Sequence, residues 1–94
     1  MLDERTLFFK AIELWGGKTQ IDICCEELAE CIQALLKYGR RYHGCSTAQV
    51  AEEIADADIC LSQMKLIFPS WQEHREMKIE YLRGLIKKEE EENE

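Results

Sequence analysis

Ile21-Asp22-Ile23-Cys24-Cys25-Glu26-Glu27-Leu28-Ala29-Glu30-Cys31-Ile32-Gln33-Ala34-Leu35-Leu36 is the stretch that decides the fold. Its apolar residues Ile21, Cys24, Leu28, Cys31, Ile32, Leu35 and Leu36 recur every three to four positions, as on the buried stripe of an α-helix. The pattern predicts a helix over about residues 19–41, and its basic end (Lys37, Arg40, Arg41) suits the helix dipole. Upstream, a first helix over residues 3–15 stops at Gly16-Gly17, where glycine accepts the left-handed cap conformation. Downstream, Ser46-Thr47-Ala48-Gln49 reads as a capping box. It opens a third helix that carries Val50, Ile54, Ala57, Leu61, Met64 and Phe68 and stops before Pro69. Ser70-Trp71-Gln72-Glu73 reads as a second box, opening a fourth helix with Met77, Tyr81, Leu82, Leu85 and Ile86. Sustained period-two alternation and hairpin dipeptides are missing, so no strand is predicted. The expectation is one all-α domain over residues 1–88, followed by an acidic, disordered tail over 89–94.

A chain of 94 residues holds one domain with a modest core, which makes self-association an expectation before any motif is read. Nineteen acids against twelve bases give a net charge of −7, which disfavours a nucleic-acid grip by a basic face. No apolar run reaches the roughly 18–20 residues of a membrane span, and the acids of the N-terminus do not fit a signal peptide. A cytoplasmic protein is expected. Five cysteines are an odd number, and no Cys-x-x-Cys occurs; reduced thiols serving as small core residues are the reading.

Two acidic motifs interrupt the helical pattern. Glu26-Glu27-Leu28-Ala29-Glu30 and Glu52-Glu53-Ile54-Ala55-Asp56 share the form Glu-Glu-x-x-acid. At about 100° per residue, Glu27 and Glu30 lie on one stripe of their helix, and Glu53 and Asp56 lie on one stripe of theirs. Leu28 and Ile54 place the core beside these stripes rather than opposite them. Facing each other, the stripes would bring four carboxylates into a space with little solvent, a costly arrangement unless cations neutralise it. All-oxygen ligation selects hard ions, Mg²⁺ or Mn²⁺. The alternative is a solvated acidic face, which any acid-rich helix can present. A di-iron centre is disfavoured, because Glu-x-x-His is missing.

Glu27-x-x-Glu30, then 22 residues, then Glu53-x-x-Asp56 resembles the signature of the MazG-like all-α nucleoside triphosphate pyrophosphohydrolases. The flanks, Trp15-Gly16-Gly17-Lys18-Thr19-Gln20 before the first motif and Gln63-Met64-Lys65 after the second, are also similar. The likeness spans about residues 11–68 and is looser beyond. It implies a four-helix MazG-like bundle completed by oligomerisation, as a homodimer or homotetramer. It also implies Mg²⁺-dependent cleavage of a nucleoside triphosphate between the α and β phosphates, giving monophosphate and pyrophosphate. Glu27, Glu30, Glu53 and Asp56 would hold metal, and Glu26 or Glu30 would accept the proton of the attacking water. Lys37, Arg40, Arg41, Lys78 and Arg83 are candidates for the phosphates, with ordinary dipole pairing as the alternative for the first three. Gln63 could touch substrate or metal-bound water, or be a polar residue of the bundle.

Trp15 and Trp71 could stack on a base, but are expected to anchor packing. The loop over residues 39–44 could act as a lid. The competing readings are a non-catalytic helical interaction module and a relative acting on dUTP, dCTP or phosphoribosyl-ATP. Five of the nineteen acids lie in residues 89–94, so the body carries only −2. Two divalent ions on the four proposed ligands would leave it near +2, hospitable to a triphosphate.

Overall fold

The computed structural model describes residues 2–40 and 44–93. The described residues form four helices and no strand: α1 (Glu4–Trp15), α2 (Gly17–Gly39), α3 (Thr47–Ile67) and α4 (Trp71–Glu92). The fold is all-α, as expected. No helix among them is long and apolar enough to cross a membrane.

Local chemistry explains most of the boundaries. The Asp3 carboxylate accepts from the Thr6 amide at 2.8 Å and starts α1. Gly16 alone separates α1 from α2, at φ 87° and ψ 148°, a conformation that L side chains rarely adopt. The Gly16 amide still closes α1 by donating to the Ile12 carbonyl at 2.8 Å. The capping box of α3 is formed: the Gln49 amide donates to Ser46 Oγ at 3.2 Å, and the Ser46 amide donates to Gln49 Oε1 at 2.9 Å.

The box expected at Ser70 is not formed. Ser70 is already helical in conformation (φ −69°, ψ −5°), and its hydroxyl caps nothing. A cap residue must be extended for its side chain to reach back over the first turn. Here the turn after Pro69 is closed by backbone instead, with the Trp71 amide donating to the Phe68 carbonyl at 3.2 Å. The last helix, α4, continues through Glu92 and so takes in most of the acidic run.

The long helices α2 and α3 pack along each other as an antiparallel pair, and α1 leans on both. The buried positions are Cys24 on α2 and Ala57 and Cys60 on α3, with Gln20 and Gln63 beside them. Small residues at this seam let the two backbones approach closely. The pair steps in register, so that Glu27 lies near Asp56 and Cys24 near Cys60. The Cys45 thiol donates to the Ala34 carbonyl at 3.3 Å and ties the connecting segment to α2. All five cysteines are free.

Much of the predicted apolar stripe is not covered. Ile32, Leu35 and Leu36 on α2, Ile54 and Leu61 on α3, and Phe68 just past its end are exposed. Trp15, expected as a packing anchor, is 61% exposed. Trp71 is half-buried at the start of α4, with the Lys65 ammonium 4.4 Å from its ring centre. Beyond that junction α4 projects away from the other three helices and has no extended packing on any of them among the described residues. The radius of gyration is accordingly 17.2 Å, against about 12 Å for a compact chain of this length.

Candidate metal centre

The antiparallel register turns the two Glu-Glu-x-x-acid motifs into equivalent halves of one site. Glu27 on α2 and Glu53 on α3 hold the same place in their motifs, and they share the same physical state. Each is half-buried, and each has an Oε2 that is sealed from solvent and reached by no hydrogen-bond donor among the described residues. Each carboxyl is held above its ordinary value of 4.5. Burial is the largest cause for Glu27, followed by the charges of Glu30, Asp56 and Glu53. For Glu53 burial again leads, followed by Glu30, Asp56 and Glu52.

Glu27, Glu30 and Glu53 can each direct one carboxylate oxygen so that all three lie within 4.8 Å of one another. An orphaned, desolvated carboxylate oxygen is costly, and two of them facing like charges are more so. A hard divalent cation satisfies this donor set: it accepts oxygen ligands, neutralises the charges and occupies the orphaned lone pairs. The residues therefore fit Mg²⁺ or Mn²⁺. Asp56 stands outside the triad, yet its charge acts on both Glu27 and Glu53.

Two members of the triad, Glu30 and Glu53, line a cleft of about 480 Å³ towards the loop end of the pair, with Ala34, Lys37, Cys45 and Glu52 among others; Glu27 lies outside the lining. Lys37 is thus the predicted phosphate-binding residue that the structure brings beside the acids. Glu52 is the residue that sequence reasoning overlooked: it lines the cleft and acts on Glu53. Its counterpart Glu26, a candidate proton acceptor, is exposed and is not part of the lining. The difference is one of position along the pair. Gly44 and Cys45 enclose the end that holds Glu52, and Glu26 sits towards the other end. The equivalence of the motifs was visible in the sequence, but which of their outer acids lines a cleft was not.

The remaining candidates are scattered. Gln63 is buried at 8% exposure, with an unpartnered Oε1, two turns along α3 from Asp56 and away from the cleft lining. Arg40 is exposed and outside the lining. Arg41 lies outside the described residues, as do residues 42 and 43 of the loop considered as a lid. Lys78 and Arg83 are carried out on α4, away from the acids, and Arg83 pairs with Glu80 at 3.6 Å in full exposure.

No family model, no curated protein and no solved structure matches the chain.

Proposed function

We propose that the chain is an Mg²⁺-dependent nucleoside triphosphate pyrophosphohydrolase that cleaves its substrate between the α and β phosphates. The observation that carries this reading is the convergence of Glu27, Glu30 and Glu53, with two sealed and orphaned carboxylate oxygens, two of the three residues lining a cleft that Lys37 also lines. The MazG-like resemblance of the paired motifs supplies the reaction class.

Glu27, Glu30 and Glu53 hold the metal, with Asp56 as a further ligand or as the charge that sets their affinity. When bound, Mg²⁺ neutralises the triphosphate and acidifies water for attack on phosphorus. Lys37, which lines the same cleft, holds the phosphate chain. Glu30 is favoured over Glu26 as proton acceptor, because Glu30 lines the cleft and Glu26 does not. Glu52, beside Glu53, is a second carboxylate within the cleft able to take that proton.

The test is a panel of canonical, deoxy and modified nucleoside triphosphates with Mg²⁺, assayed for monophosphate and pyrophosphate. The expected result is release of both in equal amounts by the wild type, and loss of turnover in Glu27→Gln. Orthophosphate release, or unchanged turnover in Glu27→Gln, would contradict the reading. No turnover on any nucleotide would favour the interaction module.

A further inference from the structure

A second cleft, of about 430 Å³, lies where the start of α1, the end of α3 and the start of α4 meet. Helical arithmetic separates it from the metal centre. Taking Glu53 as 0° and about 100° per residue, Asp56 lies at 300°, whereas Lys65, Ser62 and Leu66 of the cleft lie at 120°, 180° and 220°. The cleft is therefore on the reverse face of α3, and no residue lines both clefts.

Its walls are aromatic and its polar groups are cationic. Phe8, Leu66 and Trp71 are half-buried along it, and Phe9 is exposed. The Arg5 guanidinium carbon lies 5.5 Å from the Phe9 ring centre, and the Lys65 ammonium lies 4.4 Å from the Trp71 ring centre. Each cation is thus seated against a ring, an attraction that orients it without neutralising it. Neither forms an ion pair among the described residues, although acids outnumber bases in the chain nineteen to twelve. The lining holds one acid, Glu4.

We propose that this cleft binds a small aromatic anion, a planar ring carrying a phosphate or a carboxylate group. The ring covers the open faces of Phe9 and Trp71, and the anion supplies the counter-charge that Arg5 and Lys65 lack. Size selects a small molecule. The volume falls in the range of about 300–1,000 Å³ of small-molecule pockets, which likewise set a few polar groups among apolar and aromatic walls. A protein partner needs roughly 800 Å² on each side, more than the wall of a cleft this size offers. An occupant reaching both Arg5 and Trp71 would also join α1 to the start of α4, which no extended packing connects among the described residues. The inference does not rest on the reaction proposed above.

Titration of the nitrogen-15-labelled chain, followed by NMR of the two tryptophan indole N–H signals, tests it. EDTA keeps the acidic centre free of metal. The probes are AMP and indole-3-acetate, which distinguish a phosphate source from a carboxylate source. Ribose 5-phosphate and adenosine, each half of AMP, are the controls. At least one probe is expected to shift the Trp71 signal saturably at millimolar concentration, while Trp15, outside the lining, stays unmoved. Arg5→Gln and Lys65→Gln, both at exposed positions, should each weaken binding about tenfold with unchanged helical circular dichroism. Lys37→Ala should leave it unchanged.

The proposal is overturned if neither probe shifts Trp71 saturably, if ribose 5-phosphate or adenosine binds as well as AMP does, or if both variants keep the wild-type affinity. Loss of binding in Lys37→Ala would assign the ligand to the acidic cleft and overturn it as well. So would saturation by tetraglutamate with neither small probe bound, which would point to a protein partner.

Discussion

Replacing Glu53 by glutamine removes one of three carboxylates whose oxygens lie within 4.8 Å, and it does so without changing side-chain volume. The consequence is best read in thermal stability against pH and metal. Burial and neighbouring charge raise the Glu27 and Glu53 carboxyls in the folded state above their ordinary value of 4.5. The native state then binds more protons than the unfolded one between the ordinary and the raised values. Stability therefore falls as pH rises through that window, the reverse of a salt-bridged carboxylate. Metal-free wild type should melt lower at about pH 8 than at about pH 5, and Glu53→Gln should show a smaller drop because one of the two raised groups is gone.

Magnesium acts in the opposite sense. At tenfold its Kd it stabilises the native state by about 1.4 kcal/mol, which for a domain this small is roughly 6–11 °C in Tm. Losing a ligand costs at least the roughly tenfold in affinity that even a supporting partner costs. At the same concentration the variant should then gain only about 0.4 kcal/mol, roughly 2–3 °C. Circular dichroism melts at the two pH values, with and without Mg²⁺, read all four quantities. The reasoning is refuted if metal-free wild type melts higher at the upper pH, or if Mg²⁺ raises both proteins equally.

The remaining predictions concern the frame and the cleft. Gly16→Ala meets open space but must adopt φ 87°, so it should destabilise by about 1–3 kcal/mol in denaturant titration, whereas Gly84→Ala, mid-helix and also in open space, should stabilise by about 0.5–1 kcal/mol. Ser46→Ala should cost about 1 kcal/mol through the lost capping box, and Ser70→Ala should cost close to nothing because its hydroxyl caps no helix. Lys37→Ala, in the cleft but not in the triad, should raise KM for a triphosphate about tenfold or more while leaving the Mg²⁺ effect on Tm unchanged.

What the sequence made legible follows from local physics. The ends of α1 and α3 were readable because Gly16 and the Ser46–Gln49 box act within a few residues. That Glu27 shares a face with Glu30, and Glu53 with Asp56, was readable because helical arithmetic sets which residues share a face, but the place of Asp56 outside the triad was not. The box at Ser70 failed because its motif describes side chains, while Pro69 and the Phe68 carbonyl had already set the backbone. That Glu52 lines the cleft and Glu26 does not depends on how α2 and α3 pack beside the connecting segment, a tertiary fact. The same holds for α4. Its apolar stripe was visible, but nothing local told whether that stripe packs on its own chain, and with α4 go Lys78 and Arg83. The expected burial of Ile32, Leu35 and Leu36 was not met for the same reason, since amphipathic spacing shows a face that seeks cover and not what covers it.

The central claim is that the acidic cleft carries out hydrolysis at the α-phosphorus of a nucleoside triphosphate. Turnover in water enriched in oxygen-18, followed by mass spectrometry of both products, tests it most directly. One labelled oxygen is expected in the monophosphate and none in the pyrophosphate. Label in the pyrophosphate would place the attack on the β-phosphorus and contradict it.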